Sequence, residues 1–402
     1  MSFPPTYSAL LPVGEARLEH TPSRHSHRHS DNDTWLKKDG RIAIALSQQD
    51  RNAPIPVYGR RGNIHGAMLF DDRNLVESVS IKLLGQIRVG ALGEERVVNM
   101  VDAAISLWPI QNGTLHEACP SALPFSIDLP SNFQDPDDKT SKPLAPSIDV
   151  RLNGLEALVD YALLVRIQEK KGHSAYRIFN RDSQQVGIIR IPLIYRPAYR
   201  PSEPVLEHPA FLESVKVVPE SWKQSITYVK TKTASVYADP ISCSLFFPSV
   251  QVFAISEPIP IHVQMTSTLS SLLLFFPARN GPPSPTDSTK HFVLKLIRRY
   301  NIEINGKTTS RSAAIGAAVL QPVPPLASSS PPGVGQDALD HMDWAAELYC
   351  NPDVTVGSFS SSGCCVKDYI VLEVYPHPTS PFVKTTLAVG VTIVTDPWTD
   401  GA

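Results

Sequence analysis

VSIKLLGQIRV, residues Val79–Val89, alternates with a period of two. Val79, Ile81, Leu83, Gly85, Ile87 and Val89 fall on one face; Ser80, Lys82, Gln86 and Arg88 fall on the other, and only Leu84 breaks the pattern. Successive side chains of a strand point to opposite faces, so this spacing predicts a strand with one buried face. Val159–Ile167 repeats it, with Val159, Tyr161, Leu163, Val165 and Ile167 set against Asp160, Arg166 and Gln168. Ile148–Leu152 and Val186–Tyr195 are further candidates, and Ile42, Ile44 and Leu46 alternate after Asp39-Gly40, a hairpin signal. A 3.6-residue period is almost absent from this half.

YRPAYRPSEPVLEHPAFLE (Tyr195–Glu213) carries Pro197, Pro201, Pro204 and Pro209. Four prolines exclude a central strand and stiffen a connection, so a boundary is expected here. Strand patterns then resume at Val215–Val218, Ser225–Val229, Ile241–Phe247, Ile259–Thr266, Phe292–Ile304, Val366–Tyr375 and Leu387–Val394, with Asn305-Gly306 as a turn. Leu320–Leu339, rich in Pro, Ser and Gly, reads as a long loop. Asp337–Leu348 has moderate helix propensity, but Trp344, Ala346 and Leu348 alternate, which favours a strand from Trp344. Many short strands in two halves imply an all-β chain of two sandwiches. The expected division is a disordered polar tail over 1–34, a sandwich over 35–197, a short Pro-rich hinge over 198–213 and a second sandwich over 214–398.

Composition supports this and excludes some partners. The 402 residues include 37 prolines, about 9 % against a usual share of about 5 %, but only 21 glycines. Proline excess without glycine excess suits strands joined by ordered loops. Lys plus Arg (37) nearly balance Asp plus Glu (39), so no basic excess points to nucleic acid. The first residues carry no basic and apolar signal regions, and the longest apolar burst, Leu272–Phe276, is far short of the roughly 20 residues a membrane span needs. Five scattered cysteines (Cys119, Cys243, Cys350, Cys364 and Cys365) read as reduced thiols rather than a disulfide framework. A cytoplasmic protein is expected.

The order of several segments is similar to a known family. DDRNLVESVSIKLLGQIRV (Asp71–Val89), LPFSIDLP (Leu123–Pro130) and APSIDVRL (Ala145–Leu152) resemble strands of arrestin-like N-domains. VPESW (Val218–Trp222), ISCSLFFP (Ile241–Pro248), EPIPIHVQMTST (Glu257–Thr268), WAAELYC (Trp344–Cys350) and VKDYIVLEVYP (Val366–Pro376) continue the order in the second half. The resemblance is to arrestin-like proteins of the fungal α-arrestin class, with arrestin N- and C-type domains, and it covers about residues 35–397. It implies two curved β-sandwiches side by side. It implies no catalytic residues and no cofactor, and no activation switch is carried over.

Pro4-Pro5-Thr6-Tyr7 matches PPxY. Two prolines pre-set a polyproline helix that docks with little entropy loss into the aromatic groove of a WW domain, and Tyr7 fills the adjacent pocket. Pro4, Pro5 and Tyr7 are therefore the candidate binding residues. By the resemblance, the partners are a WW-domain HECT ubiquitin ligase and membrane cargo proteins, transporters or receptors. The chain would link the two for ubiquitination and endocytosis, transiently at the plasma membrane or endosomes. The alternative is a structural coat or scaffold subunit, similar to the arrestin-fold subunit of retromer, that recruits no ligase. An all-β enzyme or carbohydrate-binding module is a third class, but G-x-S-x-G, H-E-x-x-H, Walker A and G-x-G-x-x-G are all missing.

Other clusters are weaker. His20, His25, His27 and His29 form a His-rich tract, read as a solvated tail rather than a metal site. Adjacent Cys364 and Cys365 point to opposite strand faces and do not share a metal with Cys350. Lys37-Lys38, Arg60-Arg61 and Arg298-Arg299 read as solvated strand ends, with contact to anionic lipid headgroups as the functional option. Ser328–Ser330 and Ser358–Ser362 read as plain loops, with phosphorylation as the alternative.

Overall fold

The computed structural model describes residues 33–109, 118–169, 186–206, 211–232, 238–276, 291–323 and 339–399. Pro4, Pro5, Tyr7, the four tail histidines and Ser328–Ser330 lie outside them.

The first half contains β1 (Thr34–Asp39), β2 (Ile42–Ser47), β3 (Val57–Tyr58), β4 (Asn63–Phe70), β5 (Val76–Ala91), β6 (Glu94–Trp108), β7 (Ala122–Asp128), β8 (Asn132–Gln134), β9 (Ser141–Pro143), β10 (Ile148–Leu152), β11 (Leu155–Glu169) and β12 (Val186–Tyr195). Two sheets form, ordered β1-β2-β4-β7 and β3-β12-β11-β5-β6, with β10 beside β11; β8 and β9 make a separate hairpin. The inward faces of the two sheets supply the core. In β5 the predicted phase holds: Val79, Ile81, Leu83, Ile87 and Val89 are all buried. Gly85 sits on that inward face because β11 delivers Tyr161 opposite it. A Cβ there would lie 2.6 Å from the ring. The buried Tyr161 hydroxyl donates to the Ala145 carbonyl at 2.7 Å.

The second half contains helix α1 (Phe211–Ser214), then β13 (Trp222–Val229), β14 (Ile241–Pro248), β15 (Val252–Ala254), β16 (Ile259–Thr268), helix α2 (Leu269–Phe275), β17 (Phe292–Ile304), β18 (Lys307–Ala318), β19 (Gln321–Val323), β20 (Leu339–Leu348), β21 (Phe359–Ser361), β22 (Cys364–Val374) and β23 (Thr385–Val394). Its sheets run β13-β14-β16-β20-β19 and β15-β23-β22-β17-β18, with β21 beside β22. The chain is thus an all-β protein of two sandwich-like halves. Asn305 and Gly306 both take positive φ in the β17–β18 turn, as the two-residue hairpin signal predicts.

Five expectations need correction. Val215–Val218 is not a strand: α1 precedes it, and the amides of Val217 and Val218 both donate to Ser214 O before Pro219 opens a 3₁₀ turn. The strand expected from Trp344 begins five residues earlier, because β16 runs on to Thr268 and pairs it with Leu339. The expected loop from Leu320 also holds β19, paired to β20; its remainder, 324–338, lies outside the described residues. Ser358–Ser362 is not a plain loop: Phe359–Ser361 pairs with β22, and Ser361 and Ser362 are buried. Thr34, placed in the tail, already pairs with Ser47.

Candidate functional site

The junction of the two halves carries a network of buried polar groups, and it begins inside one strand pair. On β17, Phe292, Leu294 and Leu296 face the second core, whereas Ile302 and Ile304 belong to the first. On β22, Ile370, Leu372 and Val374 face the second core, and Cys364 and Val366 the first. One ribbon therefore serves both cores. At the changeover stand Arg298 and Asp368, directly paired in register and 5 % and 1 % exposed. Arg298 Nε and Nη2 donate to the two carboxylate oxygens at 2.8 and 2.9 Å, and Nη1 donates to the Val356 carbonyl at 2.7 Å. Ser358 Oγ adds a hydrogen bond to Asp368 at 2.7 Å and accepts one from the Ile393 amide at 2.9 Å. A buried ion pair survives desolvation only when its remaining donors and acceptors are filled in this way.

This corrects the reading of Arg298 as a solvated strand end. The signal was in the sequence: Arg298 falls on the apolar phase of β17, and Asp368 on the apolar phase of β22. Two opposite charges, each on an inward phase, mark a buried pair.

A second network crosses the junction. Asp135, 1 % exposed, follows β8. Its carboxylate accepts from Lys142 Nζ at 2.7 Å and from the Asp137 amide at 3.0 Å. Arg96 of β6 lies 3.7 Å from Asp135 and 2.5 Å from Asp137, and its Nη2 reaches Ser362 Oγ of the second half at 3.2 Å. Ser361 Oγ donates to the Pro143 carbonyl at 3.1 Å. Burial works against the charged form of Asp135, but the hydrogen bonds from Lys142, the Asp137 amide and Ser362 outweigh it and hold the carboxyl below its ordinary value of 3.8. A carboxyl whose folded value is lowered contributes stability above its unfolded pKa and loses it as pH falls through the folded one. We therefore expect wild-type protein to lose more melting temperature than Asp135→Asn as pH falls from about 5 to about 2, across the ordinary carboxylate range, measured as Tm against pH. Parallel curves would remove Asp135 from the network.

The outward face of the second half's first sheet carries an aromatic cluster. Phe211 of α1 stacks on His262 at 4.1 Å between ring centroids, meets Trp222 edge-on at 5.0 Å and lies 4.5 Å from Phe246. Trp222 Nε1 donates to Ser214 Oγ at 2.9 Å. Beneath, Asp343 pairs with His262 Nε2 at 2.8 Å and accepts from Gln264 Nε2 at 3.1 Å. This cluster clamps α1, and with it the connecting segment, onto the sheet. The outward face of β1-β2-β4-β7 differs: its cross-strand rows Leu36-Ala45-Ala67-Pro124 and Lys38-Ala43-Leu69-Ala122 are mostly small and apolar.

The remaining sequence candidates separate. Cys364 is buried and Cys365 half-buried, on opposite faces of β22. Burial pushes the Cys243 and Cys364 thiols up to about 12 and the Cys350 thiol up to about 11. Among the described residues, no group of three or more His, Cys, Asp or Glu side chains is placed to hold a metal ion. Lys37 Nζ donates to the Arg190 carbonyl at 2.9 Å, and Arg299 lies over the Tyr369 ring at 5.2 Å. Arg60 and Arg61 are exposed. Among the described residues no helix is long and apolar enough to cross a membrane. No family model matches the sequence, and a search of curated proteins finds no match.

Proposed function

We propose that this chain is an arrestin-like adaptor that links a membrane cargo to a WW-domain HECT ubiquitin ligase, and that it is not itself a catalyst. The observation that supports the reading is Pro4-Pro5-Thr6-Tyr7 standing ahead of two successive sandwich-like halves, and the resemblance of the sequence segments to arrestin-like proteins adds to it. The motif and the folded body divide the work. The motif supplies a weak contact to the ligase, and the sandwich surfaces supply a second contact to the cargo. Two linked weak contacts reach useful affinity through effective concentration. Tyr7→Ala in the full chain is expected to weaken WW-domain binding by at least about tenfold, the loss of one anchoring aromatic, with Tm unchanged. A lowered Tm in that variant would place Tyr7 in the fold and count against the reading.

A stoichiometric scaffold subunit is the second reading, favoured by one feature. β13 is a sheet edge, and it exposes Ile226 and Tyr228 on the outward face. Exposed apolar edges recruit partner strands. Co-purification of a fixed-ratio complex that survives high salt would move this reading ahead.

A further inference from the structure

Arg60 and Arg61 are joined in the fold by two more arginines. β3 and β12 pair in parallel, Tyr58 opposite Tyr195. The Ile194 amide donates to Pro56 O and the Arg196 amide to Tyr58 O, both at 2.9 Å. The turn that follows β3 therefore runs beside the segment that leaves β12. Arg61 holds φ at 56°, and the Gly62 amide closes the turn on Gly59 O at 3.1 Å. The Arg60 guanidinium lies 6.0 Å from the centre of the Tyr199 ring. Tyr199 is itself fixed to the end of the second half: its amide donates to Thr395 Oγ1 at 2.9 Å, and its carbonyl accepts from the Asp396 amide at 3.0 Å. Arg200 Nη1 reaches Thr399 Oγ1 at 3.3 Å. Arg60, Arg61, Arg196 and Arg200 are all exposed and stand on two neighbouring, proline-stiffened segments.

These four charges are not balanced locally. Arg41, Arg88, Arg151, Arg190 and Arg298 each have a carboxylate partner, on Asp72, Glu95, Asp149, Asp160 and Asp368. Among the described residues no carboxylate forms an ion pair with any of the four. Two acids stand nearby, Asp396 hydrogen-bonded to Thr395 Oγ1 at 2.6 Å and Asp128 hydrogen-bonded to Asn63 Nδ2 at 2.5 Å, so the four arginines still outnumber them. Four exposed arginines on two adjacent segments, in a chain of net charge −2, are a local feature and not a consequence of composition.

We propose that Arg60, Arg61, Arg196 and Arg200 form a docking site for an acidic peptide segment, rich in Asp and Glu. It rests on the adaptor reading, as the cargo-binding side of it. Guanidinium forks match carboxylates bidentately, and here they are carried on backbones that are already fixed, so little ordering entropy opposes binding. A lipid surface fits less well. Interfacial binding needs apolar side chains that enter the acyl boundary. Val57 is the large apolar residue exposed on β3 itself, whereas Leu269, Leu273 and Leu339 are exposed at the end of β16 in the second half.

The test is a titration of the full chain with a fluorescein-labelled Glu/Asp peptide, followed by anisotropy at about 50 mM salt, where exposed charges are weakly screened. Arg60→Gln/Arg61→Gln/Arg196→Gln/Arg200→Gln is expected to weaken binding at least about tenfold. Lys38→Gln/Lys139→Gln/Lys216→Gln/Lys367→Gln removes the same charge from exposed positions elsewhere and is expected to change binding by no more than about twofold. If the four-arginine variant melts early, Arg60→Gln/Arg61→Gln alone carries the test. Equal losses in the two sets, or no binding by the wild type, would overturn the proposal. So would arginine-dependent sedimentation with phosphatidylserine vesicles in the absence of peptide binding, which would assign the patch to a membrane. WW-domain binding through Tyr7, measured on the same variants, is expected to be unaffected, so failure here and failure of the ligase reading are separable.

Discussion

Asp368→Ala is expected to destabilise the protein by about 3–5 kcal/mol, the usual result of removing one partner of a buried pair. The reason is the environment left behind. Arg298 keeps its charge, is 5 % exposed and retains only the Val356 carbonyl as a full partner. Ser358 loses the acceptor of its hydroxyl at the same time. For halves of this size the loss corresponds to a fall in melting temperature of roughly 10 °C. Arg298→Met/Asp368→Leu replaces the pair with apolar groups of similar volume, and it is expected to recover most of the loss or exceed the wild type. That double variant also tests what the pair is for. It stands where one β-ribbon passes from the second core to the first. If the pair fixes which residues of the ribbon enter which core, the double variant melts at high temperature with reduced cooperativity. A loss below about 1 kcal/mol in Asp368→Ala, by urea unfolding with unchanged m, would show that water reaches Arg298 freely.

Gly363→Ala is expected to cost about 2–4 kcal/mol, from left-handed backbone strain plus a steric clash. Gly363 has φ +75° in the β21–β22 turn, and a Cβ there would lie 2.5 Å from Arg96 Nη1 and 2.8 Å from the Glu303 carbonyl. The amide of the same residue donates to Gly363 O at 2.8 Å, which holds Glu303 close against the turn. Arg96 would have to leave Ser362 and the Asp135 network, so the halves lose a polar contact as well. Gly306 supplies the control. It also has φ +75°, but a Cβ there meets nothing within 4 Å. Gly306→Ala therefore pays only the conformational term, about 1 kcal/mol. The difference between the two variants, by parallel urea unfolding, isolates the clash at the junction. Equal costs would mean that Arg96 moves aside freely and that the junction is loose.

The sequence made the strands legible wherever one face is buried and the other wet. Val79–Val89 and Val159–Ile167 could be placed because Lys82, Gln86, Arg88, Asp160 and Arg166 label the outward phase. Val215–Val218 misled because a short apolar run has no phase, and Pro219 removes a donor that a strand ladder would use. The buried pair was visible only to someone who checked phase, since Arg298 beside Arg299 looks like a charged strand end. The Arg96–Asp135–Ser362 network was not legible at all. Its members come from three separate parts of the chain and meet only after both halves have folded. The four-arginine patch failed to show for the same reason: Arg60-Arg61 and Arg196 are 135 residues apart, and only the parallel β3–β12 pair brings them together.

The central claim is that Pro4, Pro5 and Tyr7 recruit a WW domain. The direct measurement is a titration of a peptide covering residues 1–15 against a panel of WW domains from HECT ligases, beside a Tyr7→Ala control. The account predicts saturable binding to at least one domain at tens of micromolar, about −6 kcal/mol, lost in the control. No binding to any domain, or binding that survives Tyr7→Ala, would contradict it and leave the scaffold reading as the stronger one.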